Sequence, residues 1–138
     1  MKKLIKAFLL LLLVLLPAPL LGARTAESRG EEAPFLLTLD GSTLAQFVMI
    51  CDVIKGEARQ QIRRKEYLAH SYRFPVDAID CRITLLEGRG RISARLYEGN
   101  KLIAAEDYNA IRTAIGVRSD GPWGEALAWR VGGVPVRP

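Results

Sequence analysis

Cys51 and Cys81 each sit in a run that alternates with period two, and no other feature constrains the chain as much. Phe47, Met49, Cys51 and Val53 alternate with Val48, Ile50 and Asp52, while Cys81, Ile83 and Leu85 alternate with Arg82 and Thr84. Successive side chains of a strand point to opposite faces, so each cysteine shares a face with its apolar neighbours. Two inward-facing cysteines on two strands can meet across a core. We expect a Cys51–Cys81 disulfide, which would close a loop of about 30 residues and stabilise the fold by about 3–4 kcal/mol in the chain-entropy model. Metal and redox roles are not expected. The chain has one histidine and no Cys-x-x-Cys, too few ligands at the wrong spacing for a zinc site.

A structural disulfide needs an oxidising compartment, and the start of the chain supplies the route to one. Residues 1–6 carry Lys2, Lys3 and Lys6, residues 7–16 are apolar and leucine-rich, and Pro17 and Pro19 precede Leu21-Gly22-Ala23. That order is a secretory signal peptide over residues 1–23, with cleavage expected after Ala23. A membrane-spanning helix needs about 20 apolar residues, more than the run before Gly22 offers, so no span is expected in the processed protein. The lysine-led start has a bacterial character, which places the product in the periplasm or outside the cell. Residues 24–33 have little to bury and read as a flexible lead-in. One domain is expected over residues 34–138.

The leader also explains the composition. The 138 residues carry 20 Lys+Arg and 15 Asp+Glu, a formal charge of +5. Three of the lysines lie in residues 1–23, so the rest carries 17 bases and 15 acids, a charge of +2. That is no basic footprint for nucleic acid, which is excluded as a partner.

The remainder reads as short strands separated by turn signals. Strands are expected over 35–39, 44–54, 78–86, 91–98, 101–106, 110–117 and 126–131, with Asp40-Gly41 and Gly99-Asn100 as turns. Residues 57–69 are ambiguous. Glu, Ala, Arg, Gln and Lys favour a helix, but Ala58, Ile62 and Ala69 give a thin apolar stripe, and Leu68, His70 and Tyr72 alternate as in a strand. The fold expected is all-β, a small antiparallel β-sandwich, immunoglobulin-like, of seven or eight strands with one disulfide. A helix near 57–69 would make it α+β.

The Cys51 strand, Tyr72-Arg73-Phe74-Pro75, Ala78-Ile79-Asp80-Cys81-Arg82-Ile83, Gly88-x-Gly90 and Gly121-Pro122-Trp123-Gly124 follow in order. Over about residues 35–130 this resembles small exported bacterial proteins of unknown function, held to be disulfide-linked β-sandwiches. The resemblance implies the fold and no activity.

No catalytic set assembles from the sequence. His70 is the only histidine, and its neighbour Ser71 would point to the other face of a strand. The acidic neighbours Asp77 and Asp80, and Glu106 and Asp107, read as solvated or arginine-paired rather than as a glycosidase pair. Gly88-Arg89-Gly90 reads as a hairpin turn without the elements of a phosphate loop. No cofactor is implied.

The suggestive feature is arginine on a sheet face. If the strands flanking residues 87–90 form a hairpin, Leu85 faces Ile92, Ile83 faces Ala94 and Cys81 faces Leu96 inward. The outer set then places Arg82 opposite Arg95, with Arg91 nearby. Like charges directly opposite are unfavourable unless a carboxylate such as Glu106, an anionic ligand or an acidic partner intervenes. Trp123 in Gly-Pro-Trp-Gly either plugs one end of the sandwich or contacts a partner. The expected function is a non-catalytic exported binding module for a protein partner or an anionic envelope component, with Arg82, Arg91, Arg95 and Trp123 as the site. The alternatives are a structural subunit of an envelope assembly and a small hydrolase.

Overall fold

A computed structural model describes residues 33–87, 89–132 and 134–135; the leader over 1–23 and nearly all of the lead-in over 24–33 lie outside these. Among the described residues every element is a strand. They are β1 (Phe35–Gly41), β2 (Gln46–Lys55), β3 (Ala58–Tyr67), β4 (His70–Phe74), β5 (Ala78–Leu85), β6 (Arg89–Glu98), β7 (Lys101–Ile111), β8 (Ala114–Arg118), β9 (Leu127–Arg130) and β10 (Val134–Pro135). No helix of the described residues is long and apolar enough to cross a membrane.

The strands form two antiparallel sheets, ordered β10-β7-β6-β1-β4 and β3-β2-β5-β8-β9. The sequence expected seven or eight strands. Beyond the seven ranges named there are β3, the ambiguous segment, β4, which continues the Leu68, His70 and Tyr72 alternation, and the two-residue β10. Good helix formers yield at β3 because it pairs with β2 along its whole length, from Gln46↔Tyr67 to Lys55↔Ala58. Tertiary pairing overrides a weak local preference.

Each sheet turns one set of alternating residues inward. Phe35, Leu37, Leu39, Ile92, Ala94 and Leu96 come from the first sheet. Phe47, Met49, Cys51, Val53, Ile79, Cys81, Ile83, Leu85, Ile115 and Val117 come from the second. Burying each large aliphatic or aromatic side chain contributes about 1.5–3 kcal/mol. The disulfide joins Cys51 to Cys81 with a Cα–Cα distance of 4.0 Å. It does not cross the core as expected. The two cysteines face each other on adjacent strands, β2 and β5, of one sheet, with both side chains fully buried.

The Gly99-Asn100 turn is as read: Glu98 pairs with Lys101, and Gly99 takes the positive φ of 58° that a tight hairpin needs. The expected hairpin at 87–90 is not formed. β5 pairs with β2 and β8, and β6 pairs with β1 and β7, so the chain passes from one sheet to the other between them. The inward alternation of Cys81, Ile83, Leu85 and of Ile92, Ala94, Leu96 fits either arrangement. Here the two sets meet through the core.

One lateral seam of the sandwich is sealed. Arg130 of β9 donates from Nε to Glu106 Oε1 of β7 at 3.1 Å and from Nη2 to the Asp107 carbonyl at 3.4 Å. Its guanidinium also lies 5.0 Å from the Tyr108 ring centre. At the opposite seam, β3 lies at the edge of one sheet and β4 at the edge of the other.

Candidate functional site

The outward positions of the second sheet follow from its register. One row runs Arg63–Ile50–Arg82–Gly116–Trp129, and the next Gln61–Asp52–Asp80–Arg118–Leu127. Lys65–Val48–Thr84 and Arg59–Ile54–Ala78 flank them. The face therefore carries Arg59, Arg63, Lys65, Arg82 and Arg118 against two acids, Asp52 and Asp80, with Val48, Ile50 and Ile54 half-buried between them. Arg63 and Arg82 are kept from direct opposition by Ile50, about 10 Å apart across two strand spacings.

The tryptophans belong to this face. A Cβ on Gly116 would overlap the indole of Trp129, so the absence of a side chain there lets the ring lie against the sheet. The Arg118 guanidinium sits 5.4 Å from the Trp129 ring centre, and Arg118 Nε donates to the Glu125 carbonyl at 2.9 Å. Trp123 stands in the expected tight turn, with mutual Gly121 and Gly124 backbone hydrogen bonds of 3.0 Å. It is half-buried, and Arg59 lies 5.6 Å from its ring centre. Such stacking fixes cations that would otherwise be mobile and leaves their charge outward. We expect Gly116→Ala to displace the Trp129 indole. The measurable results are a red-shifted tryptophan emission and a loss of about 1–3 kcal/mol in stability.

Asp52 and Asp80 are opposite each other on β2 and β5. Burial raises the Asp80 carboxyl above the usual carboxylate range; Arg118 pulls it back, Asp52 adds to the rise and Arg82 opposes it. A carboxylate raised in the folded state costs stability once it ionises. Stability should fall as pH rises from the unfolded-state value, about 3.9, through the raised folded value. Asp80→Asn should therefore melt higher than the parent at pH 7 and equal to it near pH 3, measured by thermal denaturation at both pH values.

The site residues expected from sequence are divided between two faces. Arg82 lies on the second sheet, and Trp123 lies in the turn between β8 and β9, against Arg59 of that sheet. Arg91 and Arg95 lie four residues apart on β6, outward on the first sheet. Arg82 does not face Arg95: its cross-strand neighbours are Ile50 and Gly116, while those of Arg95 are Thr38 and Ala105. Arg95 donates from Nη1 to Ser93 Oγ at 3.0 Å and has Asp107 at 4.0 Å. Glu106, expected as its counter-charge, faces inward and holds Arg130. No described hydrogen bond or ion pair engages the side chains of Arg63, Lys65 or Arg82.

The other candidates have structural partners. His70 stacks on Tyr72 with ring centres 4.6 Å apart, and Ser71 projects from the opposite face of β4. Asp77 Oδ2 accepts from the Gly56 amide at 2.6 Å and anchors the β2–β3 hairpin. Sequence reasoning did not single out Arg59, Arg63, Lys65, Arg118 or Trp129. The period-two run Arg59, Gln61, Arg63, Lys65 was the available signal, and the helix alternative at 57–69 obscured it. No family model, curated protein or solved structure matches the chain.

Proposed function

We propose that the protein is a non-catalytic, exported binding module that docks an anionic partner surface on the outer face of its β3-β2-β5-β8-β9 sheet. The disulfide supports an oxidising destination, as does the leader read from residues 1–23. The observation that carries the reading is the cation excess on one broad sheet face. There, Arg63, Lys65 and Arg82 surround half-buried Ile50 and Val48, beside the indole of Trp129. Flush aromatics and arginine are the residue types enriched where partners bind. The outer face of a five-stranded sheet suits another surface better than a small molecule, which takes a concave site.

The test is co-sedimentation of the purified protein with vesicles containing phosphatidylglycerol, and its binding to immobilised polyglutamate. Binding to at least one probe, weakening steadily between 0.05 and 1 M salt as the Debye length contracts to about 3 Å, is expected. Absence of binding to both at low salt contradicts the proposal.

A further inference from the structure

The seam between β3 and β4 is open where the opposite seam is closed. The inward positions of β3 are Ala58, Gln60, Ile62, Arg64 and Glu66, by their register with the buried residues of β2. Only Ile62 among them is large and apolar, so β3 cannot seal against β4. A cleft of about 280 Å³ is left. Its apolar wall is Met49, Val53, Ile62, Phe74 and Val76. Its charged lining residues are Lys55, Arg64 and Arg73, and no acid lines it. Tyr72 also lines it. The Tyr72 hydroxyl is shielded from solvent and has no hydrogen-bond partner among the described residues. Burial, then Glu66, push its pKa up to about 12, with Arg64 opposing. A neutral donor without an acceptor is costly when buried.

We propose that this cleft binds a medium-chain aliphatic carboxylate, with its chain on the Met49–Val53–Ile62–Phe74–Val76 wall and its carboxylate accepting from Tyr72 and facing Arg64. The volume holds about nine groups of water size at ~30 Å³ each, a chain of about that many carbons. The apolar wall and the cations together select an amphipathic anion over either a hydrocarbon or a small anion. This site is separate from the outer face of the second sheet, so either proposal can fail alone.

The experiment is isothermal titration of the purified protein with decanoate, decanol and butyrate. Decanoate should bind saturably and more tightly than either analogue. Tyr72→Phe removes only the unpartnered hydroxyl, so the variant should fold at least as stably as the parent. It should bind decanoate about tenfold more weakly, the usual loss of one hydrogen bond to a charged group. Ile62→Trp, which fills the cleft, should abolish binding, and Arg82→Glu should leave it unchanged. No saturable decanoate binding, equal binding of decanol, or unchanged binding in Tyr72→Phe or Ile62→Trp would each overturn the proposal.

Discussion

Replacing Cys51 and Cys81 together by alanine is expected to lower the unfolding free energy by about 3–4 kcal/mol, the chain-entropy value for a loop of this size. The bond spans 30 residues of sequence, including all of β3 and β4. These are the two edge strands beside the open cleft, each hydrogen-bonded to a neighbouring strand on one side only. Both sulfurs are buried in the core of the second sheet, and removing them adds a small cavity cost. Urea denaturation should show the full loss, and the melting temperature should drop by roughly 15 °C for a domain of this size. The double variant should be indifferent to reductant, whereas the parent should fall to about the same stability when reduced. A loss under about 1 kcal/mol would mean that the bond adds nothing to a fold already closed by its sheets.

Charge reversal at Arg63 and Arg82 should have the larger effect on binding. The Arg63→Glu/Arg82→Glu protein changes four charges around Ile50, where no described ion pair compensates the native cations. At about 1 kcal/mol per basic residue near an anionic lipid surface, binding should weaken roughly 100-fold or more. The control is Arg91→Glu/Arg95→Glu on the first sheet, where Arg95 already has Ser93 and Asp107. It carries the same change in net charge and should cost far less. Both pairs are outward, so both variants should keep native stability within about 1 kcal/mol. Equal losses in the two variants would reduce the effect to net charge and remove the second sheet from its special role.

The comparison of these two pairs was not available from sequence alone. Alternation placed Cys51, Cys81, Ile83, Leu85, Ile92, Ala94 and Leu96 inward, and all are buried. It also placed Arg91 and Arg95 together on one outward face. What alternation does not encode is which strand lies beside which. A hairpin and a crossing between sheets give the same inward set for β5 and β6. The first puts Arg82 beside Arg95, and the second puts them on opposite sides of the molecule. Gly116 is the residue that could have pointed to the answer, because a glycine inside an alternating run marks a close approach; here Trp129 fills the space. The Arg59–Lys65 run was hidden for a different reason. Its residues are good helix formers, and only pairing with β2 makes them a strand. Tyr72 was legible as a strand residue, but its unpartnered hydroxyl arises from the polar inward side of β3, a property of two elements rather than one.

The outer face of the β3-β2-β5-β8-β9 sheet is the proposed docking surface. The most direct measurement is an NMR titration of the isotopically labelled protein with polyglutamate or phosphatidylglycerol bicelles. The shifts should concentrate on Arg63, Lys65, Arg82, Gly116 and the Trp129 indole N–H, with Arg91, Arg95 and Tyr97 unmoved. Shifts centred on Arg91, Arg95 and Tyr97, or no shifts with either probe, would contradict it.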